Sequence, residues 1–227
     1  MSEEPGSKRG RAHDAQGARE AILNAAEEVF AEHGFDGARI DAIAAKAGYN
    51  KSLIFQYFGD KLGLYAQVVR RADAEMSGLQ GEMMAELNEV GTACDADKLK
   101  GFLRTFMCGY FDYLVAHPRM ARILVWEMAE RWQTMSKIFS QRDMDEINQF
   151  KPFLDHVRKA GLLRSDFDPM AQIMMIEFLY PCYLAIGPLF QILLPDEELS
   201  SAAALGRARD YIVEFVILGM VADPAET

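Results

Sequence analysis

Residues 21–65 read AILNAAEEVFAEHGFDGARIDAIAAKAGYNKSLIFQYFGDKLGLY, and this stretch decides the fold class. Ile22, Ala26, Val29 and Phe30 recur at i, i+4, i+7 and i+8, the spacing of one helical face. The stripe stops at His33-Gly34, a cation-capable side chain in the last turn with glycine just beyond it. Glu20, Glu27, Glu28 and Glu32 then form a solvated face. A short apolar segment from Ile40 to Ala47 precedes Gly48, and a second runs from Lys51 to Phe58. Two short helices joined by a tight glycine turn make a helix-turn-helix. Asn50 stands where an Asx side chain caps the second helix, and Asp60 where it caps a longer one through Leu64, Val68 and Val69.

Helical spacing continues beyond this stretch and strand-like alternation is scarce, so the whole chain is expected to be all-α. Asp95 or Asp97 opens a helix carrying Leu99, Phe102, Leu103, Phe106, Tyr110, Phe111 and Leu114, which ends at His117-Pro118. Pro118 suits the first helical position of the stretch MARILVWEMAE. Further helices are expected over 134–160, closed by Gly161, over 169–194 after Asp168-Pro169, and from Asp196 to Met220. Between Glu177 and Asp196 the chain is uncharged and largely apolar, which raises a membrane reading. Pro181, Gly187, Pro188, Gln191 and Pro195 interrupt it, and a kinked, buried helix of a soluble protein is expected instead.

The chain has 227 residues, 50% of them hydrophobic and 26% charged, enough to bury a core without disulfides or metals. Its net charge of −10 argues against a polyanionic partner unless the charges are segregated. They are: eight Lys/Arg face ten Asp/Glu up to Lys61, whereas 16 face 24 beyond it. Lys8, Arg9, Arg11 and Arg19 lie at the N-terminal end with Asp14 alone among them, as in a basic arm that can enter a minor groove or stay solvated. Cys94, Cys108 and Cys182 are odd in number, far apart and outside any CxxC pair, which fits a reducing cytoplasm. No GxSxG, HExxH or P-loop occurs, and Cys108, Asp112 and His117 are too sparse to claim a metal site. Neither enzymatic activity nor a cofactor is expected.

Residues 16–76 resemble the N-terminal domain of TetR-family transcriptional regulators. Phe30, Gly34, Phe35, Ile43, Ala44, Ala47, Gly48, Ser52, Ile54, Phe55, Tyr57, Phe58, Lys61 and Leu64 fall on that family's pattern. Two departures stand out: Arg39 replaces the Ser/Thr usual before the second helix, and Tyr49-Asn50 replaces the Val-Ser/Thr pair that opens the recognition helix. Arg39 leaves its helix without a side-chain cap, a loss of about 1 kcal/mol. The resemblance implies a flexible arm over 1–15, a three-helix DNA-binding domain over 16–76, and a larger helical ligand-binding and dimerisation domain over 77–227. The later helices are also similar in layout to regulators of the RutR group, which adds architecture only.

Ile54 and Phe58, four apart, form the inward stripe of the recognition helix and turn Ser52 and Gln56 outward, with Leu53 on the flank. These three are the candidates for contact with base edges in the major groove. Gln56 suits a bidentate bond to adenine and Leu53 a thymine methyl. Lys51, Tyr57 and Lys61 would hold phosphates, and Arg39, Tyr49 and Asn50 complete the candidate surface. For the effector, Phe106, Met107, Tyr110, Trp126, Met128, Met174, Phe178 and Tyr183 are candidate pocket lining and Arg122, Glu127 and Glu177 candidate polar groups. Apart from Met1, every Met lies between Met76 and Met220, which suits an adaptable apolar cavity and equally the gaps of a core. The expected function is a cytoplasmic, homodimeric repressor that binds a palindromic operator in double-stranded DNA and is released by an apolar or aromatic effector, without a membrane. A helical small-molecule-binding or interaction module with a vestigial helix-turn-helix is the alternative.

Overall fold

A computed structural model describes residues 8–90, 95–139, 151–164 and 168–222, with the side chains of 8–14, 75, 77–90 and 176 outside the description. Ten α-helices occur among the described residues: α1 (Lys8–Gly37), α2 (Ile40–Ala47), α3 (Lys51–Phe58), α4 (Lys61–Val90), α5 (Ala96–Ala116), α6 (Pro118–Ala129), α7 (Met135–Ile138), α8 (Lys151–Lys159), α9 (Pro169–Leu193) and α10 (Ala202–Met220). No strand is present among them; a single antiparallel bridge joins Leu163 and Val221. The chain forms two compact units. One is the chain up to Asp73 together with Arg122–Ile138, and the other is Ala74–Ala121 together with the chain from Phe139 onward.

In the first unit the predicted stripe of α1 is the core: Ile22, Ala26, Val29 and Phe30 are buried with Ile43, Ile54, Leu64 and Tyr65. Tyr65 sets its ring edge-on to Phe30 and Phe35, with centroids 4.9 and 5.2 Å away. Gly34 breaks α1 at φ 66°, ψ −179°, a conformation essentially confined to glycine. A Cβ there would also lie 3.0 Å from the Trp126 ring. Gly48 closes α2 in the left-handed region, and Tyr49 N–H donates to the Ala44 carbonyl at 3.1 Å, turning the chain into α3. The acidic face of α1 is less solvated than expected. Arg71 of α4 bonds Asn24 at 2.7 Å and pairs with Glu27, and Lys46 of α2 pairs with Glu28.

The second unit is built on α5, whose Leu99, Leu103, Met107, Phe111 and Leu114 are buried one turn apart. Asp95, not Asp97, caps it, accepting from Lys98 N–H at 2.9 Å. Helices α9 and α10 pack on α5, and α8 packs on α9. Arg209 reaches from α10 to both carboxylate oxygens of Asp112 on α5, at 3.0 and 2.8 Å, and Arg104 pairs with Glu214. Arg164 ties the end of the described chain down by donating to the Val221 carbonyl at 2.9 Å.

Several boundaries differ from the sequence reading. Residues 8–15 continue α1 rather than forming an arm, while residues 1–7 lie outside the described residues. The helix expected over 134–160 is described only as α7 and α8, because 140–150 lie outside; Gly161, at φ 70°, ends it as expected. The last helix starts at Ala202 under a Ser201 cap, later than expected, because Pro195 and the turn after it cannot continue α9. Helix α9 is not simply buried: Met175, Leu179, Ile186, Leu189 and Leu193 are exposed along one face. By length and composition α9 is the one helix among the described residues able to cross a membrane.

Candidate functional site

Asn50 makes α3 a well-started helix: its Oδ1 accepts from Leu53 N–H at 2.9 Å, as a side-chain cap should. Ile54 and Phe58 are buried and fix which way the helix faces. Taking their mean direction as inward and a rotation of about 100° per residue, Gln56 points directly outward and Ser52 about 40° from it. Both are exposed. Leu53 lies about 60° to one side and is half-buried, and Phe55 lies about 100° to the other and is exposed. Lys51 forms a 2.5 Å pair with Asp41 of α2, with both side chains well exposed. Such a pair is worth roughly 0–1 kcal/mol, so a phosphate can replace the carboxylate at little cost. Tyr49, just before Asn50 and this helix, and Arg39, just before α2, are exposed, and Arg39 makes no cap bond to α2, as its side chain requires.

Tyr57 is half-buried, edge-on to Phe58 with centroids 6.2 Å apart. It borders a shallow groove of about 360 Å³ shared with Arg19, Arg70 and Lys137. Lys61 departs from expectation. Its Nζ donates to the Asp36 carbonyl at 3.3 Å and sits 4.6 Å from the centre of the Phe35 ring. Partial burial lowers its pKa, against the opposing charges of Asp36 and Glu130. The ammonium joins the start of α4 to the end of α1, so Lys61 positions the domain instead of extending freely toward a phosphate.

The candidate effector residues separate into the two units. Arg122, Trp126 and Glu127 belong to the first. Arg122 Nε and Trp126 Nε1 both donate to the Ala31 carbonyl, at 3.1 and 3.2 Å. Glu127 is buried with both carboxylate oxygens engaged: Oε1 accepts from the Tyr65 hydroxyl at 2.6 Å and Oε2 from Met135 N–H at 3.0 Å. Hydrogen bonding to Glu127 and burial both push the Tyr65 phenol pKa well above its ordinary range, burial most. Glu127, expected to orient a ligand, is therefore a structural anchor, and so are its two neighbours. Met128 is half-buried in the same unit. Phe106, Met107, Tyr110, Phe178 and Tyr183 lie in the second unit. Met107 is fully buried, Phe106 stacks on Tyr110 at 6.4 Å, and Tyr183 lies 6.3 Å from Phe111. Met174 is exposed, which takes it off the interior face of α9. Glu177 lies within α9 and retains partial contact with solvent.

The family profile described as "Bacterial regulatory proteins, tetR family" matches residues 22–68, over α1 to α4. "Tetracyclin repressor-like, C-terminal domain" matches residues 101–216, slightly more than half of the chain. The chain belongs to the TetR family. Among its relatives, the repressor SCO4008 of Streptomyces coelicolor is 34% identical over 119 residues, which are 52% of this chain and 54% of that protein. The match thus spans about half the length of that relative. The repressor NicS of Pseudomonas putida is 29% identical over 175 residues, 76% of this chain and 77% of NicS. The activator FasR of Mycolicibacterium smegmatis is 38% identical over 123 residues, covering 54% of this chain and 51% of FasR. Among solved structures, SCO4942 of Streptomyces coelicolor aligns with a TM-score of 0.58 at 26% identity, over 89% of this chain and 98% of that one. FadR of Bacillus subtilis, solved with stearoyl-CoA, aligns at 0.57 and 19% identity, over 88% and 97%, and so shares the fold.

For this TetR-family chain, the sequence reading left Phe55 out of the readers. It was counted only as part of the family pattern, yet the rotation that places Leu53 on one flank places Phe55 on the other. Helical-wheel arithmetic on residues 51–58 was the signal that could have found it.

Proposed function

We propose that the protein is a cytoplasmic, non-enzymatic transcriptional repressor that binds a palindromic operator as a homodimer and leaves it when a small apolar or aromatic effector binds. The observation that carries this reading is α3: a side-chain-capped two-turn helix held by Ile54 and Phe58, with Ser52, Leu53, Phe55 and Gln56 turned from the core. Gln56 and Ser52 read base edges, Leu53 and Phe55 pack on thymine methyls, and Lys51, Tyr57, Tyr49 and Arg39 hold phosphates. Asn50 acts through the helix start. Two relatives are repressors and one an activator, which favours repression. Dimerisation is supported by the open apolar faces of α9 and α10, where Tyr211, Phe215 and Leu218 are 72%, 65% and 66% exposed at i, i+4 and i+7. A two-fold pair of recognition helices spans half-sites about 34–36 Å apart. Effector release is then a population shift toward a dimer whose helices no longer match that spacing.

The test is binding of the full-length protein to DNA flanking its own gene as salt is raised. With about four phosphates neutralised per protomer, log K should fall with log salt at a slope near −7. Lys51→Ala should weaken binding to all sequences, whereas Gln56→Ala should relax preference at one base pair. A slope near zero, or no preference for a palindrome, returns the chain to the module with a vestigial helix-turn-helix.

A further inference from the structure

Helix α9 carries one charged residue in 25, Glu177. At about 100° per residue, Met175, Leu179, Cys182, Ile186, Leu189 and Leu193 fall on one stripe. All six are exposed. Glu177 lies about 160–200° from Met175 and Leu179, on the opposite, inward face with Ile173, Tyr180 and Leu184. That is the face on which Tyr180 is fully buried and lies 5.1 Å, edge-on, from Phe111 and 6.0 Å from Tyr110, both of α5. Burial is the one influence on the half-buried Glu177 carboxyl, with no hydrogen bond or charge acting on it among the described residues, and the Tyr180 hydroxyl is buried without a hydrogen-bond partner among them. The Glu177 carboxyl, in partial contact with solvent, and the buried Tyr180 hydroxyl stand one helical turn apart beside aromatic rings, and no described residue meets their polar demand. A carboxylate in such a place is costly unless a cation or donors reach it. Aromatic rings favour the same partner through their negative faces.

We infer that Glu177 is the anchor for a positively charged group, and that the effector of the second unit is an apolar or aromatic body bearing an amine or other cationic nitrogen. The carboxylate pairs with the cation, the Tyr180 oxygen accepts a second N–H bond, and the apolar body packs against the aromatic side chains that α5 and α9 bring together. The role as effector rests on the regulator reading; the recognition of a cation does not. Burial alone raises the Glu177 carboxyl to about 7, with no charged group of α5, α8 or α10 acting on it among the described residues. A cation bound beside it lowers that value and expels its proton. At pH 7, where the carboxyl is half protonated, binding should release up to about half a proton.

The test is calorimetry on the full-length protein with three ligands sharing one apolar body: 4-phenylbutylamine, 4-phenylbutanol and 4-phenylbutyrate. The amine is expected to bind at least about tenfold more tightly than the alcohol, and the carboxylate more weakly than either. Titrations at pH 7 in two buffers of different ionisation enthalpy should show proton release with the amine. Glu177→Gln, checked for folding by circular dichroism, should remove the preference for the amine and leave the alcohol unchanged. Equal binding of amine and alcohol, no binding of the amine at millimolar concentration, proton uptake, or a preference that survives Glu177→Gln overturns the inference. The wild-type series decides even if the variant does not fold. Operator binding is measured separately: amine selectivity without DNA binding sinks the regulator reading alone, and DNA binding without selectivity sinks this inference alone.

Discussion

Tyr65→Phe isolates the contact by which α4 holds the segment from Arg122 to Ile138. Tyr65 and Glu127 are each 1% exposed, and the phenol donates to Glu127 Oε1 at 2.6 Å across 62 residues of sequence. Removing the hydroxyl keeps the ring and its edge contacts with Phe30 and Phe35. It leaves a buried carboxylate oxygen without a donor, while Oε2 keeps only Met135 N–H. A hydrogen bond to a charged group contributes about 1.5–3 kcal/mol, and a buried group left unsatisfied sits at the upper end of that range. The expected loss is therefore about 2–3 kcal/mol, or roughly 4–12 °C in Tm for a chain of this size. Glu127→Gln is the control: its amide can turn its oxygen to Met135 N–H and its NH₂ to the Tyr65 oxygen, so it should cost only about 1 kcal/mol. Urea unfolding at fixed protomer concentration, with unchanged m-values, measures both. A loss below about 0.5 kcal/mol for Tyr65→Phe, or a larger loss for Glu127→Gln, would refute the reasoning.

Gly34→Ala should cost at least about 2 kcal/mol, because a Cβ is disfavoured at that backbone conformation and meets the Trp126 ring; an unchanged melting temperature would contradict this. Arg131 is exposed at φ 58°, so Arg131→Gly should relieve about 1 kcal/mol of left-handed strain, seen as a Tm rise of roughly 2–4 °C. Phe215→Glu should dissociate the dimer in analytical ultracentrifugation without loss of helical circular dichroism; a dimer that persists would move the interface off α10. Asn50→Ala should weaken DNA binding to every sequence alike by loosening the start of α3, and a change confined to one base pair would show that Asn50 reads a base itself.

The DNA-binding head was legible because its signals are short-range. Caps act over three residues, so Asn50 and Asp60 were found where they accept their N–H bonds. Glycine breaks are local too, and Gly34, Gly48 and Gly161 all hold positive φ. Helical periodicity identified the buried residues of α1 and α3 and, in α5, Leu99, Leu103, Phe111 and Leu114, while Phe102, Phe106 and Tyr110 of the same expected stripe are half-buried and the buried Met107 lay outside it. Periodicity is silent on what buries them. For that reason Arg122, Trp126 and Glu127 read as ligand-facing when their partners are Ala31 and Tyr65, and Lys61 read as a phosphate contact when its ammonium caps Asp36.

By itself, then, the amino-acid order determined an all-helical chain of the TetR type with a recognition helix turned by Ile54 and Phe58, since those features depend on residues within one or two turns of each other. Only the tertiary structure decided that Arg122–Ile138 belongs with the head, that Glu127 is held between α4 and the start of α7, and that Glu177 stands on the inward face of α9 without a partner among the described residues. Each of those outcomes depends on groups distant in sequence. A charged side chain is shaped less by its own helix than by which donors the fold brings to it.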